Sequence, residues 1–213
     1  MTTHFLDTNL FIEINIEKGD YGEYCDILFE KKCNKTTNER ILIEIDDIKE
    51  AFDKSFDKLI TFYRKNLKMD HFISQRQISE KEMDRLKNID ALINQTHGGK
   101  AKIQRLEFLK GYFLKTVHYR KQCLNTKTIP SSNDHLLYGS INSVMTDPDD
   151  AWHITDAFSW CCINGSTLIW SMDRGVVDPR DAILNAICSH RGINRTDCNL
   201  DITHIENVII YKF

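Results

Sequence analysis

The sequence lacks any apolar run long enough to cross a lipid bilayer. Its first residues, MTTHFLDTN, lack the basic-then-apolar layout of a secretory signal. The seven cysteines are an odd number without the regular spacing of a disulfide framework, so we expect reduced thiols. These absences predict a cytoplasmic protein without a membrane partner.

Several motifs that carry well-known chemistry are also absent. The chain has no Gly-rich phosphate loop of the Walker type and no G-x-S-x-G nucleophile elbow. The late cysteines and histidines have a spacing that fits no common zinc finger; they are Cys188, His190, Cys198 and His204.

Short apolar runs of β type alternate with helical patterns along most of the chain. The apolar runs lie at His4–Leu6 and Thr167–Trp170, the short polar stretch Cys33–Thr37 is predicted to be a weak strand, and a closing strand is predicted at Val208–Phe213. The alternation predicts an α/β fold with a parallel sheet that is covered on both faces. A length of 213 residues suits one domain, or one domain with a large insertion.

The middle of the chain, residues 50–123, is helical almost throughout and is predicted to be a basic insertion. Residues 49–121 contain 17 Lys and Arg against 9 Asp and Glu, so this segment carries +8 and the remainder −11. A basic part beside an acidic part is typical of a polyanion clamp next to a metal site, although ordinary solvated lysine faces are the alternative. The candidate nucleic-acid contacts are Arg64, Lys65, Lys115, Arg120 and Lys121.

Four carboxylates are candidates for a common site. Asp7 and Asp173 each follow a predicted strand, and carboxyl ends of parallel strands meet at one edge of a sheet. Glu44 and Asp156 lie on helices that can flank those strands. Each acid alone has an ordinary explanation, such as helix capping for Asp7 or a solvated helix surface for Glu44.

The third acid has alternatives. Asp149 and Asp150 also lie near the start of the helix that carries Asp156. Asp150 is six residues before Asp156, about 600° around a helix, so the two cannot share one face. We expect Asp150 to cap the helix and Asp156 to face the site.

Four carboxylates brought together repel one another unless a cation neutralises them. Mg²⁺ or Mn²⁺ accepts such oxygen ligands and keeps several waters. A hydrated ion of this kind can activate water for attack on phosphorus, which predicts a phosphodiester substrate.

The motifs around these acids resemble those of PIN-domain ribonucleases over roughly residues 1–50 and 147–213. They are an apolar strand ending in Asp-Thr-Asn at Asp7–Asn9, a helix glutamate before an aliphatic residue at Glu44-Ile45, Asp-Ala ahead of a Gly turn at Asp156-Ala157, and an aliphatic strand followed by Ser171, one residue and Asp173. The helical middle is longer than in the small toxin members of that family.

The resemblance implies a single PIN-like domain over 1–213, built as a three-layer α/β/α sandwich with a mainly parallel sheet. It implies a metal-dependent endoribonuclease in which Asp7, Glu44, Asp156 and Asp173 hold Mg²⁺ or Mn²⁺, with Asn9 and Ser171 supporting them. It further implies an RNA substrate, an antitoxin-like inhibitor if the protein is toxin-like, and pairing into homodimers. The alternatives are a silent PIN-like module that binds RNA or protein, and a structure-specific DNA nuclease.

Overall fold

The structure, a computed structural model, describes residues 2–14, 21–66, 78–124 and 128–213. The chain divides into two compact units. The first combines Met1–Ile45 with Tyr119–Phe213, and the second is Asp46–His118. The predicted insertion at 50–123 overlaps the second unit.

The first unit is built on a four-stranded sheet in which every pairing is parallel. The strands are β1 (Thr3–Leu6), β2 (Asn34–Thr36), β3 (Thr167–Ser171) and β4 (Leu200–His204), in the order β2-β1-β3-β4. The register places Leu6 beside Trp170. Asp7, the next residue along, therefore emerges beside Ser171.

Helices cover this sheet and complete a three-layer α/β/α sandwich, as the sequence predicts. Strands β1 and β3 are buried along their whole lengths, which requires cover on both faces. The helices are α1 (Thr8–Ile12), α2 (Tyr21–Glu30), the start of α3 (Glu39–Arg64), the end of α5 (Gly99–Gln122), α6 (His135–Asn142), α7 (Pro148–Asn164), α8 (Arg174–Val177) and α9 (Arg180–Arg191).

Side-chain caps fix where several of these helices begin. Asp7 accepts a hydrogen bond from the Thr8 N–H at the start of α1, and Asn38 accepts one from the Ile41 N–H in α3. Asp147 caps α7 through the Asp149 N–H, directly before Pro148 in the first turn. These are the acceptors that the free N–H groups of a helix start require.

The predicted closing strand is wrong. The last strand is β4, and the chain then forms a 3₁₀ turn at Ile205–Ile209 without a strand at Val208–Phe213. In β4, buried residues alternate with half-buried ones, which is the period of a strand with one solvated face. The later apolar residues pack around ring contacts: Tyr211 and Phe213 lie against His4 and Trp170.

The second unit contains the rest of α3, helix α4 (Glu80–Ala91) and most of α5. Its apolar stripes bury Phe56, Leu59 and Phe113, among others. Several of its cations are paired within the unit, as Lys110 is with Asp53 at 2.9 Å and with Asp57 at 2.6 Å.

Within the described ranges, no helix combines the length and the apolarity that crossing a membrane requires.

Candidate metal centre

The candidate centre lies at the carboxyl end of the two central strands. From β1 the chain crosses to β2 on one side, and from β3 it crosses to β4 on the other. Parallel α/β sheets bind their ligands at such a switch point, because the connections diverge there and leave a crevice. Asp7 and Asp173 follow the strands that border it.

Asp7 is buried, and both of its carboxylate oxygens accept hydrogen bonds. Oδ1 accepts from the Thr8 N–H at 2.7 Å. Oδ2 accepts from Ser171 Oγ at 2.5 Å and from Asn9 Nδ2 at 3.0 Å. Burial raises the pKa of Asp7, and the Ser171 hydrogen bond opposes that rise. Asn9 and Ser171 thus both contact Asp7, the first candidate acid.

Asp150 and His153 reach the same place from α7. Asp7, Asp150 and His153 each offer one ligand atom, and these three atoms lie within 4.8 Å of one another. Burial raises the pKa of Asp150 to about 8, and the charges of Asp7, Asp147, Asp173 and Glu44 add to the rise. Like charges facing a buried carboxyl group have this effect when no cation balances them.

His153 is only 7% exposed. Burial lowers the pKa of its imidazole, so the ring is neutral near pH 7. Its Nδ1 lies 3.8 Å from Asp150 Oδ1, which is too long for a hydrogen bond and is not an ion pair for a neutral ring.

Glu44 and Asp173 stand at the border of the cluster. Glu44 is half-buried and accepts a short hydrogen bond from Thr8 Oγ1, one residue after Asp7. Asp173 is exposed; its Oδ1 accepts from the Gly175 N–H at 2.6 Å, and its own N–H donates to Ser171 Oγ. In the part of the chain that is described, neither Glu44 nor Asp173 forms an ion pair. The nearby cations Arg40 and Arg174 pair with Asp156 and Asp178 instead.

The prediction that Asp156 joins the cluster is wrong. Asp156 is fully buried, and its oxygens accept from Asn38 Nδ2 at 2.7 Å and from the Ser132 N–H at 2.6 Å. Arg40 Nε lies 3.4 Å from the same carboxylate. Asp156 therefore anchors α7 to the start of α3 and to the segment before α6.

Helix direction explains why Asp150 takes the place that was predicted for Asp156. Helix α7 leads into β3 through a two-residue turn, so it runs back along the sheet and its first turn lies at the carboxyl edge. Asp150 belongs to that first turn, whereas Asp156 lies six residues, about 9 Å, further along the axis. The predicted capping role of Asp150 is also wrong, because the cap is Asp147.

A sequence signal for Asp150 existed. The Asp-Ala pair occurs twice in α7, at Asp150-Ala151 and again at Asp156-Ala157. His153 lies three residues from both acids, so it shares a helix side with either one. Neither the pair nor the histidine decides between them without the position of the helix start relative to the sheet edge.

The predicted nucleic-acid contacts divide into buried and exposed cations. Arg120 is fully buried and donates to the carbonyls of Leu10 and Glu13 and to Asp26, so its prediction as an RNA contact is wrong. Arg64 is exposed but pairs with Glu107 at 2.8 Å, and Lys121 is half-buried. Exposed lysines remain at Lys65 and Lys115.

The residues that are present fit a divalent ion. Two carboxylates and one imidazole nitrogen make a donor set that divalent ions accept. Within the described ranges, His153 Nδ1 is buried and has no hydrogen-bond partner, which is unusual for a buried polar atom.

Comparisons of the chain with protein-family models, with curated proteins and with solved structures find no match. What supports a metal centre is therefore the geometry of this chain itself.

Proposed function

We propose that the protein is a divalent-metal-dependent endoribonuclease of the PIN-domain kind, with Asp7, Glu44, Asp150 and Asp173 as its acidic site. The observation that carries the proposal is the convergence of Asp7 and Asp150 at the switch point of the sheet, with His153 of the same helix as Asp150 beside them. The other two acids act on Asp150 electrostatically from the border of the cluster.

The ion would be Mg²⁺ or Mn²⁺, held by Asp7 and Asp150 with help from the neighbouring acids. When bound, such an ion supplies a water of lowered pKa and neutralises charge on the phosphoryl oxygens. Ser171 and Asn9 hold the carboxylate of Asp7 in one orientation. Asp173 is exposed at the mouth of the site, where it can accept a proton from an approaching water.

A polyanionic substrate agrees with the charge of the helical segment. Residues 49–121 carry a balance of +8, and Lys65 and Lys115 are exposed cations in it. Lysines of this kind bind phosphates independently of base sequence. The preference for RNA over DNA is taken from the likeness to PIN-domain ribonucleases, of which some are toxins held by an inhibitor protein.

The test incubates the full chain with labelled RNA and labelled DNA in Mn²⁺ or in EDTA. We expect cutting of RNA in Mn²⁺ with 5′-phosphate and 3′-hydroxyl ends, and its loss in EDTA and in the Asp7→Asn and Asp150→Asn variants. Asp181→Asn is the matched control, because this acid is exposed on α9 and pairs with Arg180 outside the cluster.

Other outcomes would replace the proposal. RNA binding without cutting in any metal would make the protein a silent binding module. Cutting of DNA alone would make it a DNA nuclease. Equal loss of activity in Asp181→Asn would remove the acidic cluster from the mechanism.

All seven cysteines are free thiols, which supports a cytoplasmic location because reducing compartments keep thiols in this form. An antitoxin-like inhibitor and a homodimer remain proposals from the PIN resemblance, and pull-down and light scattering test them.

A further inference from the structure

We propose that His153 is a direct ligand of the metal in this centre and that it makes the centre prefer Mn²⁺ to Mg²⁺. The inference rests on the proposed metal-dependent function, and it adds a nitrogen donor to a site that the sequence describes as purely acidic.

The position of His153 is that of a ligand. It follows Asp150 by three residues and so lies on the same side of α7. One of its ring nitrogens falls within 4.8 Å of an oxygen of Asp7 and of an oxygen of Asp150. Three atoms this close together can share one ion after small side-chain movements, since metal bonds to such nitrogen and oxygen ligands are about 2.0 to 2.3 Å long.

The imidazole Nδ1 of His153 has no structural role among the described residues that would explain its burial. Within the described part of the chain, Nδ1 of His153 is buried without a hydrogen-bond partner. Leaving such a buried atom unsatisfied is unfavourable, because it has given up its hydrogen bond to water and gained none in the protein. A metal ion gives this lone pair a partner, and none of the described side chains does so.

A second buried histidine of the same unit shows the contrast. His4 is 3% exposed, and its Nδ1 accepts a hydrogen bond of 2.9 Å from Trp170 Nε1. That arrangement is what a histidine with a purely structural role shows. His153 is buried to a similar degree, but its Nδ1 lies 3.8 Å from Asp150 Oδ1, which is too far for a hydrogen bond.

The types of donor atom in the site determine which metal ion it prefers. Mg²⁺ takes oxygen ligands and gives up its waters reluctantly. First-row transition ions accept imidazole nitrogen together with carboxylate oxygen, and their affinity for such mixed sites is higher. Two Asp oxygens and one His nitrogen therefore favour Mn²⁺ and its neighbours in that row over Mg²⁺.

The direct test is spectroscopic and needs no substrate. Electron spin echo modulation of Mn²⁺ bound to the full-length protein reports any nitrogen that coordinates the ion. We expect an imidazole nitrogen signal that changes when the protein carries histidine labelled with the heavy nitrogen isotope. Bound Mn²⁺ without that signal overturns the assignment of His153, and no bound Mn²⁺ overturns it as well.

The second test measures selectivity. Mn²⁺ binding is followed by the loss of the free-ion resonance, with Mg²⁺ as competitor, in wild type, His153→Asn and His190→Asn. In His153→Asn, whose amide offers oxygen in place of nitrogen, we expect Mn²⁺ affinity to fall about tenfold while Mg²⁺ affinity changes much less. His190→Asn removes a histidine at the far end of α9 and should match wild type.

These results separate the inference from the proposed function. A nitrogen signal with no cutting of nucleic acid keeps the ligand and removes the nuclease. Cutting in Mn²⁺ without a nitrogen signal keeps the nuclease and removes the ligand. Equal losses of Mn²⁺ and Mg²⁺ affinity in His153→Asn overturn the claim of preference.

Discussion

Asp7 contributes to both the fold and the candidate site through different oxygens of one carboxylate. Oδ1 begins α1 by accepting from the Thr8 N–H, and Oδ2 ties β1 to the end of β3 through Ser171. Its orientation is therefore fixed by the fold before any ion arrives. Such preorganisation is what outer hydrogen bonds do for metal ligands.

We expect substitutions of Asp150 and Asp156 to have opposite effects on metal binding and on stability. Asp150→Asn should abolish Mn²⁺ binding and leave stability nearly unchanged, because Asp150 lies among other acids. Asp156→Asn should lower the free energy of unfolding by about 1 to 3 kcal/mol, because the amide keeps one acceptor oxygen but turns an NH₂ group toward the second buried N–H donor. Urea denaturation and Mn²⁺ titration of both variants measure the two effects.

The reverse pattern would restore the assignment made from the sequence. If Asp156→Asn is as stable as wild type but no longer binds Mn²⁺, while Asp150→Asn still binds it, then Asp156 is the acid of α7 that lies in the site.

His4 predicts a pH dependence of stability away from the candidate centre. Burial, and then the charge of Lys35, lowers the pKa of His4 from 6.5 to about 4. The unfolded chain thus takes up the proton first as pH falls. The stability that neutral His4 contributes to the fold is therefore complete above the unfolded pKa of 6.5. It is lost as the pH falls toward the folded pKa of about 4.

His4→Gln should remove that dependence. Gln still accepts from Trp170 Nε1 but does not titrate, so the stability advantage of wild type over the variant should shrink by on the order of 2 kcal/mol between about pH 7 and about pH 5. Urea midpoints of both proteins across this range measure the difference. A constant gap would show that His4 is protonated equally in both states.

At the scale of elements, the last turn of α5 acts as a clamp on the N-terminal helices. Arg120 donates to the carbonyls of Leu10 and Glu13 and to the carboxylate of Asp26 on α2. Its guanidinium also lies over the Phe29 ring, 5.3 Å from the centroid. Through these contacts Arg120 joins the end of α1, the residue that follows it and α2 to the last turn of α5.

Arg120→Met should destabilise the protein by about 3 kcal/mol, because it leaves two carbonyls and a partly buried carboxylate without their partner. Lys115→Met, an exposed change on the same helix, should leave the urea midpoint nearly unchanged. An unchanged midpoint with lost RNA binding in Arg120→Met would instead make Arg120 a nucleic-acid contact.

Local sequence signals predicted those elements whose start and face are set by nearby residues. Strand β1, strand β3 and the caps at Asp7 and Asn38 follow from short patterns, and so does the placement of Asp7 and Asp173 at strand ends. The sequence also predicted the basic helical middle, but it did not predict helix α6 within the irregular stretch before Asp147.

The predictions that were wrong concern features that depend on residues far away in the sequence. The burial of Arg120 is set by carbonyls more than a hundred residues earlier, which no helical pattern reveals. The choice between Asp150 and Asp156 depends on where α7 begins relative to the sheet edge. The apolar end of the chain predicts a strand that does not form, because ring packing and strand pairing leave the same hydrophobic pattern in the sequence.

At the scale of the whole molecule, metal binding should raise stability. An ion that binds only the folded protein stabilises it by about 2.7 kcal/mol at a concentration of one hundred times Kd. Calorimetry with Mn²⁺ should therefore show a Tm about 5 °C higher than with EDTA. Asp7→Asn should show no such rise, and an equal rise in that variant would place the ion elsewhere.

The pairing of β1 with β3 has a consequence for synthesis. Asp7 and Ser171 are 164 residues apart, yet they meet at the switch point of the sheet. While the ribosome is still adding the middle of the protein, one side of β1 has no neighbouring strand, and α7 with its two candidate ligands does not yet exist. We therefore expect the nascent chain to gain the capacity to load an ion only after α7 and β3 have been translated.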